Sequence, residues 1–160
     1  MIIALAAFSA MGQTDSASLP PYKRFPTPPP FKILMTDSTT WMTKDDLPKK
    51  KAVMIMIFNP ECEHCKHETE EIIKNIDKFK KIEIVMATPR EFSTMKDFYA
   101  HYELSRFKNI HVGKDMAFTL PVFYNIRSLP FLAFYDKKGN LIDTFEGSMP
   151  IEQVLGKFNQ

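Results

Sequence analysis

The stretch AVMIMIFNPECEHCKHETEEI, residues 52–72, decides the fold. It opens with an unbroken apolar run, Ala52 to Phe58, whose length suits a central β-strand covered on both faces. Asn59-Pro60 ends this run, and a helix is predicted to begin at about Cys62. The helix carries one apolar face, with residues at spacings of three and four: Cys65, Thr69, Ile72, Ile76 and Phe79. The stretch therefore predicts a buried strand that leads directly into an amphipathic helix.

Strand and helix patterns alternate on both sides of this unit. Strands are predicted at 31–35, 82–87, 110–112, 131–135 and 141–145, and helices at 91–104, in part of 115–124 and at 151–158. A turn at 136–140 joins the last two strands into a hairpin. This order predicts an α/β fold with a parallel core, to which the hairpin adds antiparallel strands.

Both cysteines of the chain lie in Cys62-Glu63-His64-Cys65, where the strand passes into the helix. One helical turn brings the two sulfurs within bonding range and leaves Cys62 at the helix N-terminus. Unpaired N–H groups and the positive end of the helix dipole favour a thiolate there. Cys62 is therefore predicted to attack a disulfide, and the more buried Cys65 to resolve the mixed disulfide. A protonated His64 would stabilise the thiolate further and make the pair more oxidising.

Two other interpretations of the cysteine pair stay open. A Cys-x-x-Cys motif can form half of a zinc site, and His64 and His67 are near it in sequence. Zinc needs three or four convergent ligands, however, and His67 projects from a different side of the helix than Cys65. A structural disulfide is also possible, although so short a loop constrains the unfolded chain little. We predict a redox pair and no metal site.

The first 30 residues are predicted to precede the folded domain. Residues 2–10 form a short apolar run that fits a signal peptide, with small residues placed for cleavage after Gly12, although no basic residue precedes the run. Residues 13–30 are polar and then proline-rich, which is typical of an extended linker. The predicted organisation is a signal peptide at 1–12, a linker at 13–30 and one domain at 31–160. We expect no stable membrane span in the mature chain.

Composition excludes several classes of function. The 160 residues are 44% hydrophobic and 25% charged, as expected for one globular domain. With 21 basic and 19 acidic residues, the net charge of +2 predicts no nucleic-acid partner. Two cysteines are too few for a disulfide-rich scaffold, and the five glycines form no phosphate-binding motif.

Two segments together resemble a known family. The first is AVMIMIFNPECEHCKHETEEI, and the second is YNIRSLPFLAFYDKKGNLIDTFEG at residues 124–147. They are similar to the thioredoxin-like TlpA/ResA-type thiol-disulfide oxidoreductases, within the wider redoxin (AhpC/TSA-like) group. The resemblance implies a thioredoxin-like three-layer α/β/α sandwich. Its central sheet would be mixed, mainly parallel, and would end in an antiparallel hairpin.

The resemblance also implies residue roles. Cys62 matches the nucleophile and Cys65 the resolving cysteine. Pro130 matches the family's cis-proline, beside which the Leu129 backbone would pair with an extended substrate segment. Glu68 matches a glutamate that would act as an acid/base or tune the acidity of the cysteines. The family's usual tryptophan and proline around the cysteines are replaced here by Glu61 and by Glu63-His64, and the added negative charge should oppose thiolate formation.

We therefore expect a secreted or periplasmic oxidoreductase that exchanges disulfides with protein substrates, more as a reductase than as an oxidase. Its partners would be protein thiols or disulfides and a thiol protein that donates or accepts electrons. It would need no cofactor beyond the Cys62–Cys65 disulfide. The alternatives are a disulfide oxidase or isomerase of the same fold, or a copper- or zinc-handling binding module.

Overall fold

One seven-stranded mixed sheet runs through residues 19–159, which are the residues that the computed structural model describes. The strands are β1 (Lys32–Met35), β2 (Trp41–Thr43), β3 (Ala52–Ile57), β4 (Ile82–Thr88), β5 (Ile110–Asp115), β6 (Phe131–Tyr135) and β7 (Leu141–Glu146). The α-helices are α1 (Pro21–Arg24), α2 (Glu63–Lys74), α3 (Phe92–His101), α4 (Thr119–Tyr124) and α5 (Ile151–Gly156). Short 3-10 helices cover 44–46, 76–79, 104–106 and 157–159.

The strand order is β2-β1-β5-β4-β3-β6-β7. Among the described strands, β3 pairs in parallel with β4, and β4 with β5, whereas the four other pairings are antiparallel. The sheet is mixed and ends in the predicted β6–β7 hairpin, but its parallel part is confined to the three central strands. The expected sheet was mainly parallel, and this part of the expectation does not hold, because β1 of the β1–β2 hairpin pairs with β5 in the antiparallel direction. Nothing in the alternation of strands and helices specifies that pairing.

Helices cover both faces of the sheet, so the predicted three-layer α/β/α sandwich is confirmed. Every residue of β3 is buried, and successive side chains point to opposite faces. Met54 and Met56 pack in the core shared with α2, α3 and α5. Val53, Ile55 and Ile57 pack in the core shared with α4. The central strand can therefore be apolar throughout because neither of its faces meets water.

The described part of the predicted linker, residues 19–30, lies against helix α4 and the start of β7. The Tyr22 ring is 6.0 Å from the Tyr124 ring, and the Leu141 N–H donates a 2.8 Å hydrogen bond to the Pro26 carbonyl. The described part of the predicted linker therefore packs on the domain rather than standing apart from it. The reason is that its aromatic ring and a backbone carbonyl find partners on the domain surface. The signal peptide predicted at 1–12 lies outside the described residues.

Candidate active site

The end of β3 places Cys62 at the N-terminus of α2. Between them, Asn59 forms a turn in which its carbonyl accepts from the Cys62 N–H at 3.0 Å and its side chain accepts from the Glu61 N–H at 3.1 Å. Cys62 caps the helix with extended dihedrals, φ −83° and ψ 122°, and is half-buried. Its sulfur therefore sits at the start of the helix with one side open to solvent, as the motif spacing predicted.

Cys65 lies one turn further along and is fully buried on the core face of α2. The Asn59 N–H donates to the Cys65 sulfur at 3.5 Å. The pKa of the Cys65 thiol is raised to about 12, chiefly by burial. Contact with the Cys62 thiol and the charge of Glu68 act in the same direction, and the Asn59 hydrogen bond opposes them. The two thiols thus lie together, one accessible and one enclosed, and are not joined in a disulfide.

The loop before β6 faces this pair. The Cys62 thiol contacts the Leu129 carbonyl, with sulfur and oxygen 3.9 Å apart. The Leu129–Pro130 peptide bond is cis. Pro130 is buried, and its carbonyl accepts from the Gly147 N–H at 2.7 Å, which ties the loop to the end of β7. Residues 67 positions apart in the chain therefore meet at the Cys62 sulfur.

Glu68 is a buried acid on the same helix as the cysteines, with only 1% of its surface exposed. Its Oε2 accepts from the Met149 N–H at 2.9 Å, while Oε1 has no hydrogen-bond partner among the described residues. Burial raises the pKa of this carboxyl, although the Met149 N–H and His67 act in the opposite direction. The structure therefore places a carboxyl that is reluctant to ionise near Cys65.

We expect Glu68→Gln to remove a pH-dependent destabilisation of the fold. Because the native pKa of Glu68 is raised above 4.5, the native state holds this proton more tightly than the unfolded chain does. Its stabilising contribution is complete below pH 4.5 and is lost as the pH rises through the native pKa. The free energy of unfolding of Glu68→Gln minus that of the wild type should therefore grow with pH, by about 1.4 kcal/mol per unit of pKa increase.

Urea unfolding of both reduced proteins, at about pH 4 and about pH 8, measures this difference. Glu70→Gln is the matched control, since Glu70 is an exposed carboxyl of the same helix. A difference between Glu68→Gln and the wild type that stays constant across this range would contradict the assignment.

The side chains of His64 and Glu63 do not join the thiols. His64 is exposed, and it is the backbone carbonyl of His64 that accepts from the Ser148 hydroxyl at 2.9 Å. Glu63 pairs with Lys66 at 2.7 Å. Among the hydrogen bonds and ion pairs within residues 19–159, none connects either side chain to Cys62. The effects on the Cys62 thiolate that the sequence suggested, stabilising for His64 and opposing for Glu63, therefore have no counterpart in the site's contacts.

Metal-ligating side chains do not converge here or elsewhere in the part of the chain that the structure describes. No group of three or more His, Cys, Asp or Glu side chains within 19–159 is arranged to hold an ion. His67 is exposed on α2, whereas Cys65 is buried. The zinc interpretation of the motif gains no support from this geometry.

Two contacts of the site were missed from the sequence. Asn59 bonds both cysteines through its backbone, and its position between strand and motif was the available signal, since asparagine favours such turns. The Met149 N–H that holds Glu68 lies 81 residues further along the chain. No local pattern could have indicated that contact.

The family model for the thioredoxin-like domain matches residues 43–160. The chain belongs to the thioredoxin-like family. The fold expected from the two sequence segments is thereby confirmed, and the cysteine pair lies where this thioredoxin-like domain passes from its central strand into α2.

Solved structures share this thioredoxin-like fold. A secreted disulfide oxidoreductase of Mycobacterium tuberculosis, homologous to E. coli DsbE, superposes with a TM-score of 0.67 at 17% identity, covering 80% of this chain and 93% of that chain. StoA of Bacillus subtilis gives 0.60 at 18% identity over 81% and 97%. An exposed lipoprotein thioredoxin of Streptococcus pneumoniae gives 0.58 at 26% identity over 80% and 98%. No curated protein matches the chain significantly in sequence.

Proposed function

We propose that this thioredoxin-like protein reduces disulfide bonds of protein substrates outside the cytoplasm. The observation that carries the proposal is the division between its two thiols. Cys62 is accessible at a helix N-terminus, and Cys65 is enclosed in contact with it. An accessible sulfur can form a mixed disulfide with a large substrate, and an adjacent enclosed sulfur can then release that substrate.

The reaction proceeds in two exchanges. The Cys62 thiolate attacks one sulfur of the substrate disulfide, the substrate S–S bond breaks, and the other substrate sulfur leaves as a thiolate that takes up a proton. Cys65 then loses its proton and attacks the Cys62 sulfur. The mixed disulfide breaks, the second substrate sulfur leaves, and Cys62 and Cys65 become joined. Two electrons pass to the substrate, and a thiol protein must reduce the pair before the next turnover.

Glu68 is proposed to assist the second exchange. A thiol with a pKa of about 12 holds its proton near neutral pH and cannot attack until that proton is removed. The Glu68 carboxylate lies one turn beyond Cys65, and its Oε1 has no hydrogen-bond partner among residues 19–159. Because burial raises the pKa of Glu68, its carboxylate is a better proton acceptor than an exposed one would be.

The loop at Leu129 and Pro130 is proposed as the docking edge for the substrate. Leu129 is half-buried, and its carbonyl already contacts the Cys62 thiol. An extended substrate segment paired with this backbone would bring its own cysteine beside Cys62. Main-chain pairing of this kind accepts many sequences, which suits an enzyme with several protein substrates.

Reduction is favoured over oxidation by what surrounds Cys62. A stabilised thiolate makes a cysteine pair more oxidising, because it stabilises the reduced form. Here the contact of the Cys62 thiol is a carbonyl oxygen, and the exposed acids Glu61 and Glu63 flank it in sequence. The His64 side chain, which would favour an oxidase, is exposed to solvent.

Export is proposed on the signal-peptide pattern of residues 2–10 and on two of the similar proteins. One is described as secreted and another as an exposed lipoprotein. Within residues 19–159, no helix is both long and apolar enough to cross a bilayer.

The assay is reduction of insulin by dithiothreitol in the presence of the purified protein. We expect the protein to accelerate the reaction catalytically above the rate with dithiothreitol alone. Stoichiometric retention of zinc or copper through dialysis, without any acceleration, would overturn the proposal in favour of a metal-binding module.

A further inference from the structure

A cavity of about 620 Å³ opens beside the candidate active site. Ile57 at the end of β3, Pro89 after β4 and Leu129 form part of its wall. The carbonyl of Leu129 contacts the Cys62 thiol, so the cavity adjoins the nucleophile. Its volume falls within the range of ligand-binding clefts, and a substrate segment paired with the Leu129 backbone would run along its edge.

Two exposed apolar side chains of the α4 layer line this cavity. Phe118 is 53% exposed, and its backbone is left-handed, with φ +56°. That conformation is unfavourable for an L-residue, and a bulky side chain rarely adopts it. Val122, four residues later, is 65% exposed. A strained backbone that holds an aromatic ring in solvent is typical of a functional site rather than of core packing.

Arg90 and Arg127 supply the charge of the cavity. Among residues 19–159, no acidic side chain lines it. Neither arginine enters any ion pair among residues 19–159. Glu91, next to Arg90 in sequence, pairs with Lys114 at 3.9 Å, and Glu146 accepts from the backbone N–H of Arg127 at 3.3 Å but forms no ion pair with its guanidinium. Both guanidinium groups are therefore available to a carboxylate brought by a ligand.

We propose that this cavity selects substrate segments in which an acidic side chain and an apolar side chain lie close to the cysteine under attack. The apolar group packs on Phe118 and Val122, and the carboxylate binds Arg90 and Arg127. This selection extends the proposed function and rests on it, because it concerns substrates whose disulfide is attacked by Cys62. It adds a specificity for acidic polypeptides to a site whose backbone pairing is indifferent to sequence.

The test uses disulfide-linked peptide dimers that differ in one residue. The peptides carry leucine on one side of the cysteine and Glu, Gln or Lys on the other, with a second set in the reverse order. Their reduction by the full protein, with dithiothreitol as the final reductant, is followed by chromatography. We expect kcat/KM for the Glu peptide to exceed that for the Lys peptide by about tenfold at low salt, and the ratio to shrink as salt is added.

Three variants assign the preference to the cavity. In the double variant Arg90→Gln/Arg127→Gln, the Glu-to-Lys ratio should fall close to one. Arg106→Gln is the matched control, because Arg106 lies outside the cavity and pairs with Glu103, and it should keep the wild-type ratio. Phe118→Asn removes the ring with a residue that tolerates the left-handed backbone, and it should raise KM for all the peptides while leaving the Tm within a few degrees.

The outcomes separate this inference from the proposed function. Equal kcat/KM for the Glu and Lys peptides, with rapid turnover of both, would overturn the charge selection and leave the reductase proposal standing. A ratio that survives the double arginine variant would overturn the assignment to this cavity. If neither peptides nor insulin are turned over, the proposed function fails and this inference fails with it.

Discussion

Cys62→Ser should reduce insulin disulfides no faster than dithiothreitol alone, whereas Cys65→Ala should accumulate as a mixed disulfide with its substrate. The serine hydroxyl holds its proton too tightly to serve as the nucleophile, so the first exchange cannot begin. Without the Cys65 sulfur the first exchange still takes place, but nothing inside the protein attacks the Cys62 sulfur. Alanine suits the buried position because it adds no polar group to the core.

Mass spectrometry of the two variants after incubation with an oxidised peptide measures the adduct directly. We expect the peptide on Cys62 of the Cys65→Ala variant and no adduct on the Cys62→Ser variant. Comparable folding of both proteins is checked by circular dichroism. An adduct on Cys65 in the Cys62→Ser variant, with none on Cys62 in the Cys65→Ala variant, would show that the roles of the two cysteines are reversed.

Iodoacetamide should modify Cys62 far faster than Cys65 in the folded, reduced protein. A pKa of about 12 for Cys65, against an ordinary 9.0, leaves about a thousandfold less thiolate at pH 8. The thiol is also fully buried, which slows access of the reagent further. Cys62 is half-buried at the helix start, so the reagent reaches its sulfur more readily.

A time course of peptide mapping gives the two rates. The same chain unfolded in urea serves as the control, because there the two thiols should react at rates within a few-fold of each other. Equal labelling in the folded protein would contradict the assigned roles.

The centre of the fold could be predicted from local patterns. An unbroken apolar strand and a helix with apolar residues every three or four positions identify β3 and α2, and β3 begins at the predicted residue Ala52. Pro121 falls within the segment 115–124, part of which is predicted to be helical, and proline is disfavoured inside a helix. The structure places Pro121 in the first turn of α4, where its missing N–H has no intrahelical partner to lose.

The edges of the sheet could not be predicted in the same way. The strand β2 has three residues, of which Met42 alone is buried, so it carries no readable period. The antiparallel pairing of β1 with β5 joins segments about 80 residues apart, such as Ile33 and Asp115, and depends on tertiary packing rather than on local sequence. The contact of Tyr22 with Tyr124 also depends on tertiary packing. The proline-rich composition of residues 13–30 indicates an extended linker and carries no sign of that contact.

In the site, too, local features could be predicted from the sequence and contacts between distant segments could not. Cys62 and Cys65 could be identified from four consecutive residues, because helix geometry alone brings their sulfurs together. The part of Leu129 and Pro130 in the site was expected only through the resemblance to a known family, and the bond between Glu68 and Met149 was not expected at all. His64 lies inside the motif, yet its side chain is exposed, because the helical turn that buries Cys65 directs the neighbouring residue outward.

The reduction potential of the Cys62–Cys65 couple tests the central claim most directly. It is measured by equilibrating the protein with glutathione or dithiothreitol buffers of known potential and determining the fraction of dithiol by thiol alkylation. A reductase should have a value near that of thioredoxin, about −270 mV. A value near about −120 mV, the range of a strong disulfide oxidant, would contradict the proposed direction of the reaction.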